Sequence, residues 1–297
     1  MLRMRFYGGR SIKITRYLSS SHIRSRLSIN LALKLLLSYW ILGFLCAGCA
    51  PPKTVVKEEP SPPIKKIIEP DIIIQVGSLD LSRHGRRIER EDIEKMATTL
   101  IREKVDIFAV QGILRYPDLQ TRIDFVNELS RQADLRQVFG ETHTISGRQS
   151  GHAIFSSYPI LSHSTTPFAG IKSINFEAVL TAKIDMGVSP FVVSSTLLPK
   201  NASTHENRIC MKTLSLLQES HSTLPMIVTG NLPPDDSLQE RSGFQIMRFK
   251  TEAKTKQLNQ FWYTKTPTLQ PIGTRSVSTI LGNLEIVRFG IFRSPQP

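Results

Sequence analysis

Leu224-Pro225-Met226-Ile227-Val228-Thr229-Gly230-Asn231-Leu232-Pro233 is the stretch on which the fold turns. The apolar run with β-branched Ile227 and Val228 reads as a buried strand, and Gly230 ends it. The loop that follows opens on an amide and a proline, Asn231 and Pro233. Its first acids are Asp235 and Asp236. These stand before Ser-Leu-Gln-Glu, an ordinary helix-start signal.

Working outward, the spacing of apolar residues predicts an alternation of strands and helices. Asp71 to Leu81, Val105 to Gln111 and Ala153 to Ser157 read as strands, the last closed by Tyr158-Pro159. Phe176 to Ile184 and Phe191 to Leu198 read as paired strands across Gly187, with later strands at Gln260 to Thr264 and Leu284 to Phe292. Helical spacing covers Glu89 to Lys104, Asp118 to Ala133 and Glu206 to Glu219. Helices separate some strands while others follow directly, which calls for mixed sheets in an α/β domain.

The net charge of +13 suggests a nucleic-acid partner until its location is considered. Residues 1–48 hold eight basic residues and no acid, so removing them leaves +5 (13 minus 8). The apolar stretch Leu35 to Leu45 and the small residues Ala47-Gly48 complete a secretory signal, too short for a comfortable membrane span. Nucleic acid is therefore not an expected partner. Residues 50–70 are rich in proline and charge and read as an extended tether. The domain boundaries are thus 1–48 signal, 49–71 tether and 72–292 folded body. Cys210 would be left alone in the mature chain and reads as a small buried hydrophobe.

Ala47-Gly48-Cys49 resembles the end of a bacterial lipobox, with Cys46 where leucine is usual. The resemblance implies acylation of Cys49 (the palmitate-type anchor) and cleavage before it. A plain cleaved signal and an uncleaved anchor are the rival readings. Ala50 follows the cysteine, and the absence of aspartate there implies the outer membrane, facing the periplasm.

Four segments in order resemble the endonuclease/exonuclease/phosphatase superfamily. These are Asp106-Ile-Phe-Ala-Val-Gln-Gly-Ile113, Gly151-His-Ala-Ile-Phe-Ser-Ser-Tyr-Pro-Ile160, Phe191-Val-Val-Ser-Ser-Thr-Leu197 and Leu224 to Pro233. Arg208 stands where that family has an arginine after Thr-His-Leu. The resemblance spans residues 72–292 and implies a four-layer α/β/β/α sandwich of two mixed sheets. It also implies metal-dependent phosphodiester hydrolysis, with Mg²⁺ as the cofactor if the chain is active.

That chemistry needs carboxylate oxygens for a hard cation and a group that activates water. At the first strand's end the matching residue is Asp80, a weak metal candidate. The family's metal-binding Glu falls at Gly112, its His at Thr196, and its Gly-Asp-x-Asn acid and amide at Asn231 and Pro233. Its terminal Ser-Asp-His falls on Leu281-Gly282-Asn283, and no histidine follows His221. Thr196 cannot exchange protons as imidazole does, and Asn231 cannot act as a base. Other polar residues have bland readings. His152 is expected as a surface or half-buried residue, Ser203 and Thr204 as helix caps, and Trp262 in sheet packing. Ser146-Gly147-Arg148 reads as a polar turn.

The sequence therefore reads as a membrane-tethered lipoprotein whose catalytic set is lost, serving a binding or assembly role with an unknown envelope protein or ligand. The alternatives are an active phosphodiesterase or nuclease with relocated catalytic residues, and a generic envelope lipoprotein.

Overall fold

In a computed structural model of the chain the described residues are 69–82, 84–85, 87–116, 123–169, 178–198, 202–232, 243–247 and 260–293. The signal, the lipidation position Cys49, almost all of the tether, Pro233, Asp235 and Asp236 lie outside them.

Twelve strands and three helices are described, in two sheets of six strands each. The first sheet contains β1 (Ile72–Asp80), β2 (Ile107–Arg115), β3 (Arg136–Ile145), β4 (Arg148–Ser156), β11 (Leu269–Thr279) and β12 (Gly282–Ile291), in the order β11-β12-β1-β2-β4-β3. The second contains β5 (Ile160–Pro167), β6 (Ala178–Ile184), β7 (Phe191–Leu197), β8 (Met226–Asn231), β9 (Phe244–Met247) and β10 (Gln260–Thr264), ordered β5-β6-β7-β8-β10-β9. Each sheet has one parallel pair, β1 with β2 and β7 with β8, and the other pairings are antiparallel. Each parallel pair is joined through a helix, as parallel strands require a crossover. α1 (Arg90–Arg102) joins β1 to β2, and α3 (Thr204–Ser220) joins β7 to β8. α2 (Phe125–Ala133) precedes β3.

Side-chain alternation along the strands builds the layers. On β1, Ile74 and Val76 turn to the space between the sheets, while Leu79 and Leu81 turn to the helices. On β8, Ile227 faces the other sheet while Met226 and Val228 face α3. Three apolar clusters result. Ile93, Met96 and Leu100 of α1 and Val126 and Leu129 of α2 pack on the outer face of the first sheet with Phe108 and Phe155. Ile107, Ile154, Val193, Ile227, Phe261 and Phe289 fill the gap between sheets. Cys210, Met211 and Leu214 of α3 cover Val192, Val228 and Trp262. At about 1.5–3 kcal/mol per fully buried large apolar side chain, these clusters dominate the favourable side of folding. The architecture is the expected α/β/β/α sandwich of two mixed sheets.

The helix ends explain their own boundaries. Ser203 caps α3 by accepting the Glu206 amide at 3.2 Å, and Glu206 accepts the Ser203 amide at 2.6 Å, a reciprocal capping box. Asp124 caps α2 through the Val126 amide at 3.0 Å. Ser146 and Gly147, both at positive φ, form the polar turn between β3 and β4. Trp262 is fully buried against Phe244, with ring centroids 6.3 Å apart.

β8 approaches β7 closely at one point. Gly230 has φ +132°, and a Cβ there would lie 1.8 Å from the Thr196 carbonyl oxygen. Gly187, at φ +76°, has open space around the same position. Gly187→Ala should therefore cost only the left-handed backbone penalty, about 1–2 kcal/mol. Gly230→Ala adds a steric clash and should be the more damaging by denaturant titration. Equal midpoints for the two variants would refute this account of the β7–β8 approach.

Candidate functional site

The two parallel pairs end together. Asp80, Gln111, Leu197 and Asn231 close β1, the first register of β2, β7 and β8 at one rim of the inter-sheet core. Here the inward-facing positions change from apolar to polar. Ser78, Gln111, His152, Ser195, Thr229 and Glu285 are all essentially buried. Strand alternation puts them on the faces that carry Val76, Ala109, Ile154, Val193, Ile227 and Val287.

A hydrogen-bonded chain crosses from one sheet to the other. Ser78 Oγ donates to Gln111 Oε1 at 3.3 Å, and Gln111 Nε2 donates to Ser195 Oγ at 2.9 Å. On β12, Glu285 accepts from Ser276 Oγ at 2.9 Å. Burial raises the Glu285 carboxyl above its ordinary value, and the Ser276 hydroxyl partly offsets this. Neither Glu285 Oε2 nor Thr229 Oγ1 has a hydrogen-bond partner.

Asp80 is half-buried at the rim, and its Oδ1 accepts the Ser82 amide at 2.8 Å, holding the turn after β1. Gly112 stands in a β-bulge between Val110 and Ile113, with φ +71°. A Cβ there would lie 2.6 Å from the Ser82 backbone, so the β1–α1 loop occupies the space an acid would need. Thr196 is fully buried, and its hydroxyl donates to the Ala178 carbonyl at 2.9 Å. Alternation puts it on the face that α3 covers, with Val192. Asn231 Nδ2 donates to the Leu198 carbonyl at 2.5 Å, and its own carbonyl accepts the Leu198 amide at 3.0 Å. This amide therefore fastens the ends of β7 and β8. Gly282 and Asn283 open β12 directly after the two-residue turn Ile280-Leu281, where the Thr279 hydroxyl donates to the Gly282 carbonyl at 2.6 Å. That hairpin projects no loop over the rim. Pro233 lies outside the described residues.

A hard divalent cation requires several convergent oxygens, carboxylates foremost. At the rim, Asp80 holds a turn, Gly112 has no side chain, and Asn231 supplies an amide that fastens two strands. Among the described residues no three His, Cys, Asp or Glu side chains come together at ligand spacing. The described residues of the rim do not form a carboxylate set that fits such an ion.

His152 departs from expectation. It is fully buried rather than at the surface, because the strand turns it to the face of Ile154. Glu285 and the Gln111–Ser195 bridge were not anticipated from sequence. Their signal is parity: Glu285 alternates in step with Val287 and Phe289, and Gln111 with Ile107 and Ala109. Cys210 is buried on the inner side of α3, and burial pushes its thiol far up, as befits an inert hydrophobe. His205 and Arg208 are exposed on α3.

Comparison with known proteins identifies the fold. No family model matches the sequence, and no curated protein matches it. Solved structures do. An endonuclease/exonuclease/phosphatase from Beutenbergia cavernae superimposes with a TM-score of 0.60 at 12% identity, over 76% of this chain and 73% of the other. An endonuclease/exonuclease/phosphatase family protein from Leptotrichia buccalis gives 0.54 at 12% identity, over 73% of this chain and 99% of that one. The human Nocturnin catalytic domain with bound sulfate gives 0.55 at 12% identity, over 75% and 96%. The chain has the endonuclease/exonuclease/phosphatase fold.

Two outcomes follow for the rim. Asn231→Asp replaces a donor with an acceptor facing the Leu198 carbonyl and should lower stability by about 1–3 kcal/mol at neutral pH. A denaturation midpoint equal to wild type would contradict the clamp. Glu285 binds its proton more tightly folded than unfolded, so its contribution is greatest below the unfolded value, about 4.3, and falls as pH rises through the folded one. Glu285→Gln should flatten the decline in melting temperature above that pH. An unchanged profile would show that Glu285 does not titrate abnormally.

Proposed function

We propose that this protein is an envelope lipoprotein that keeps the endonuclease/exonuclease/phosphatase fold without its metal-dependent hydrolysis and serves in binding or assembly. The observation that carries this reading is the reuse of the family positions. Thr196 and Asn231 are committed to backbone carbonyls, and the backbone at Gly112 leaves no room for a side chain. A site merely missing one group would keep the shape into which that group fitted. Here the β1–α1 loop lies where a side chain at 112 would go, and Asn231 is engaged in the β7–β8 clamp.

The rival reading, a phosphodiesterase with relocated residues, has Glu285 as the unanticipated acid among the described residues of the rim. Glu285 is 1% exposed between the sheets, sealed from a charged phosphodiester. The anchor reading rests on Ala47-Gly48-Cys49 after an apolar stretch. Stable attachment by acyl chains requires more than one, as lipid modification of such a cysteine supplies. The proline-rich residues 50–70 would then hold the body off the membrane.

The purified mature chain should show no Mg²⁺- or Mn²⁺-dependent cleavage of plasmid DNA or of a chromogenic phosphodiester. The double variant Gly112→Glu/Asn231→Asp should gain none and should unfold more easily. Turnover in the wild type that disappears in Asp80→Ala would overturn the proposal. Processing should be sensitive to globomycin, and Cys49→Ala should abolish it along with membrane fractionation. If both persist in that variant, the anchor reading fails independently of the catalytic one.

A further inference from the structure

We propose that a cavity on the outer face of the first sheet is a binding site for a small organic carboxylate with an apolar body. The cavity has a volume of about 370 Å³ and lies between the β1–α1 loop, the end of β2 and the start of α2. It adjoins the rim at Gly112, which lines it, but its floor lies on the helix side of the sheet and not between the sheets. The bulge at Gly112 reverses the alternation of β2, so Ile113 packs with the helices instead of with the inter-sheet core. The proposal goes beyond the loss of hydrolysis and does not depend on the lipid anchor.

Three observations define the ligand. The volume falls in the range of small-molecule sites, about 300–1,000 Å³. The floor is apolar, formed by Leu81, Ile113 and Phe125, all buried members of the outer core. The polar lining residues are His84, Arg87 and Tyr116, and among the described residues that line the cavity none is acidic. A cation would meet Arg87 unfavourably, and a wholly apolar ligand would leave the polar wall unused. An anionic head on an apolar body matches both surfaces. Arg87 stands 3.7 Å from Glu89, both more than half exposed, a solvent-screened contact of little strength.

The rim is held in place before any ligand arrives. Arg115, at the end of β2, grips Asp124 with Nε 3.1 Å from each carboxylate oxygen, and its guanidinium lies 4.7 Å from the centre of the Phe139 ring. Asp124 in turn caps α2. One ion pair thereby fixes the strand end to the helix start, on either side of the cavity. A preformed site loses less affinity to ordering.

The test uses the full chain in lipid nanodiscs and fluorine NMR of 3-(4-fluorophenyl)propionate, with empty nanodiscs as blank. Saturable binding is expected, and the matching amine, 3-(4-fluorophenyl)propylamine, should not compete. Arg87→Ala should weaken binding about fivefold. Gly85 borders the cavity with open space around its Cβ position, so Gly85→Trp should abolish binding, with an unchanged melting temperature as the check that the fold is kept. No saturable binding, equal binding of the amine, or binding that survives Gly85→Trp would each overturn the proposal.

Discussion

A buried amide remains in an apolar interior only when its hydrogen bonds are made. Gln111 meets that condition by reaching across the gap between the sheets to Ser195 while accepting from Ser78. This bond lies where the apolar core of Ile107, Ala109, Val193 and Ile227 gives out. It closes the sandwich at the end where the parallel pairing of both sheets stops. Among the described residues, a buried polar seam of Ser78, Gln111, His152, Ser195, Thr229 and Glu285 lines that end. The remaining features of the rim are consistent with closure. Gly230 lets β8 come against the Thr196 carbonyl, Asn231 ties β8 to Leu198, and Gly112 lets the β1–α1 loop settle onto β2.

The substitutions at the family positions are therefore coupled through packing. Asn for Asp at 231 is a one-atom change in composition, yet it converts an acceptor into a donor that holds two strands together. Gly at 112 removes a carboxylate and also permits a backbone conformation that a side chain would oppose. Reversing either change alone confronts the structure built around it. Such coupling is what the proposed loss of hydrolysis rests on.

The interior of the fold was legible in the sequence because interior strands carry continuous or alternating apolar residues. Strands β1, β2, β4, β6, β7, β8, β10 and β12 were all signalled, although β2 and β4 run beyond the predicted ends. The four strands without a clear signal, β3, β5, β9 and β11, are the edges of the two sheets. Edge strands have one unpaired side and keep polar or interrupted sequences that discourage further pairing. β5 is almost wholly exposed along Leu161 to Ser164, and β11 carries Pro271 and Gly273 at a bulge. At the site, the absent side chains were visible directly, since a missing acid is a matter of residue identity. What replaced them was not. The Asn231 clamp, the inward turn of His152 and the burial of Glu285 depend on strand parity and cross-strand register, which separate segments of sequence do not reveal.

Whether the rim itself retains any metal chemistry is tested most directly by calorimetric titration of the mature chain with Mg²⁺ and Mn²⁺. The account predicts no saturable site for either ion. A stoichiometric site that disappears in Asp80→Ala would contradict it, because it would show that the rim still gathers the oxygens of a hard-cation centre.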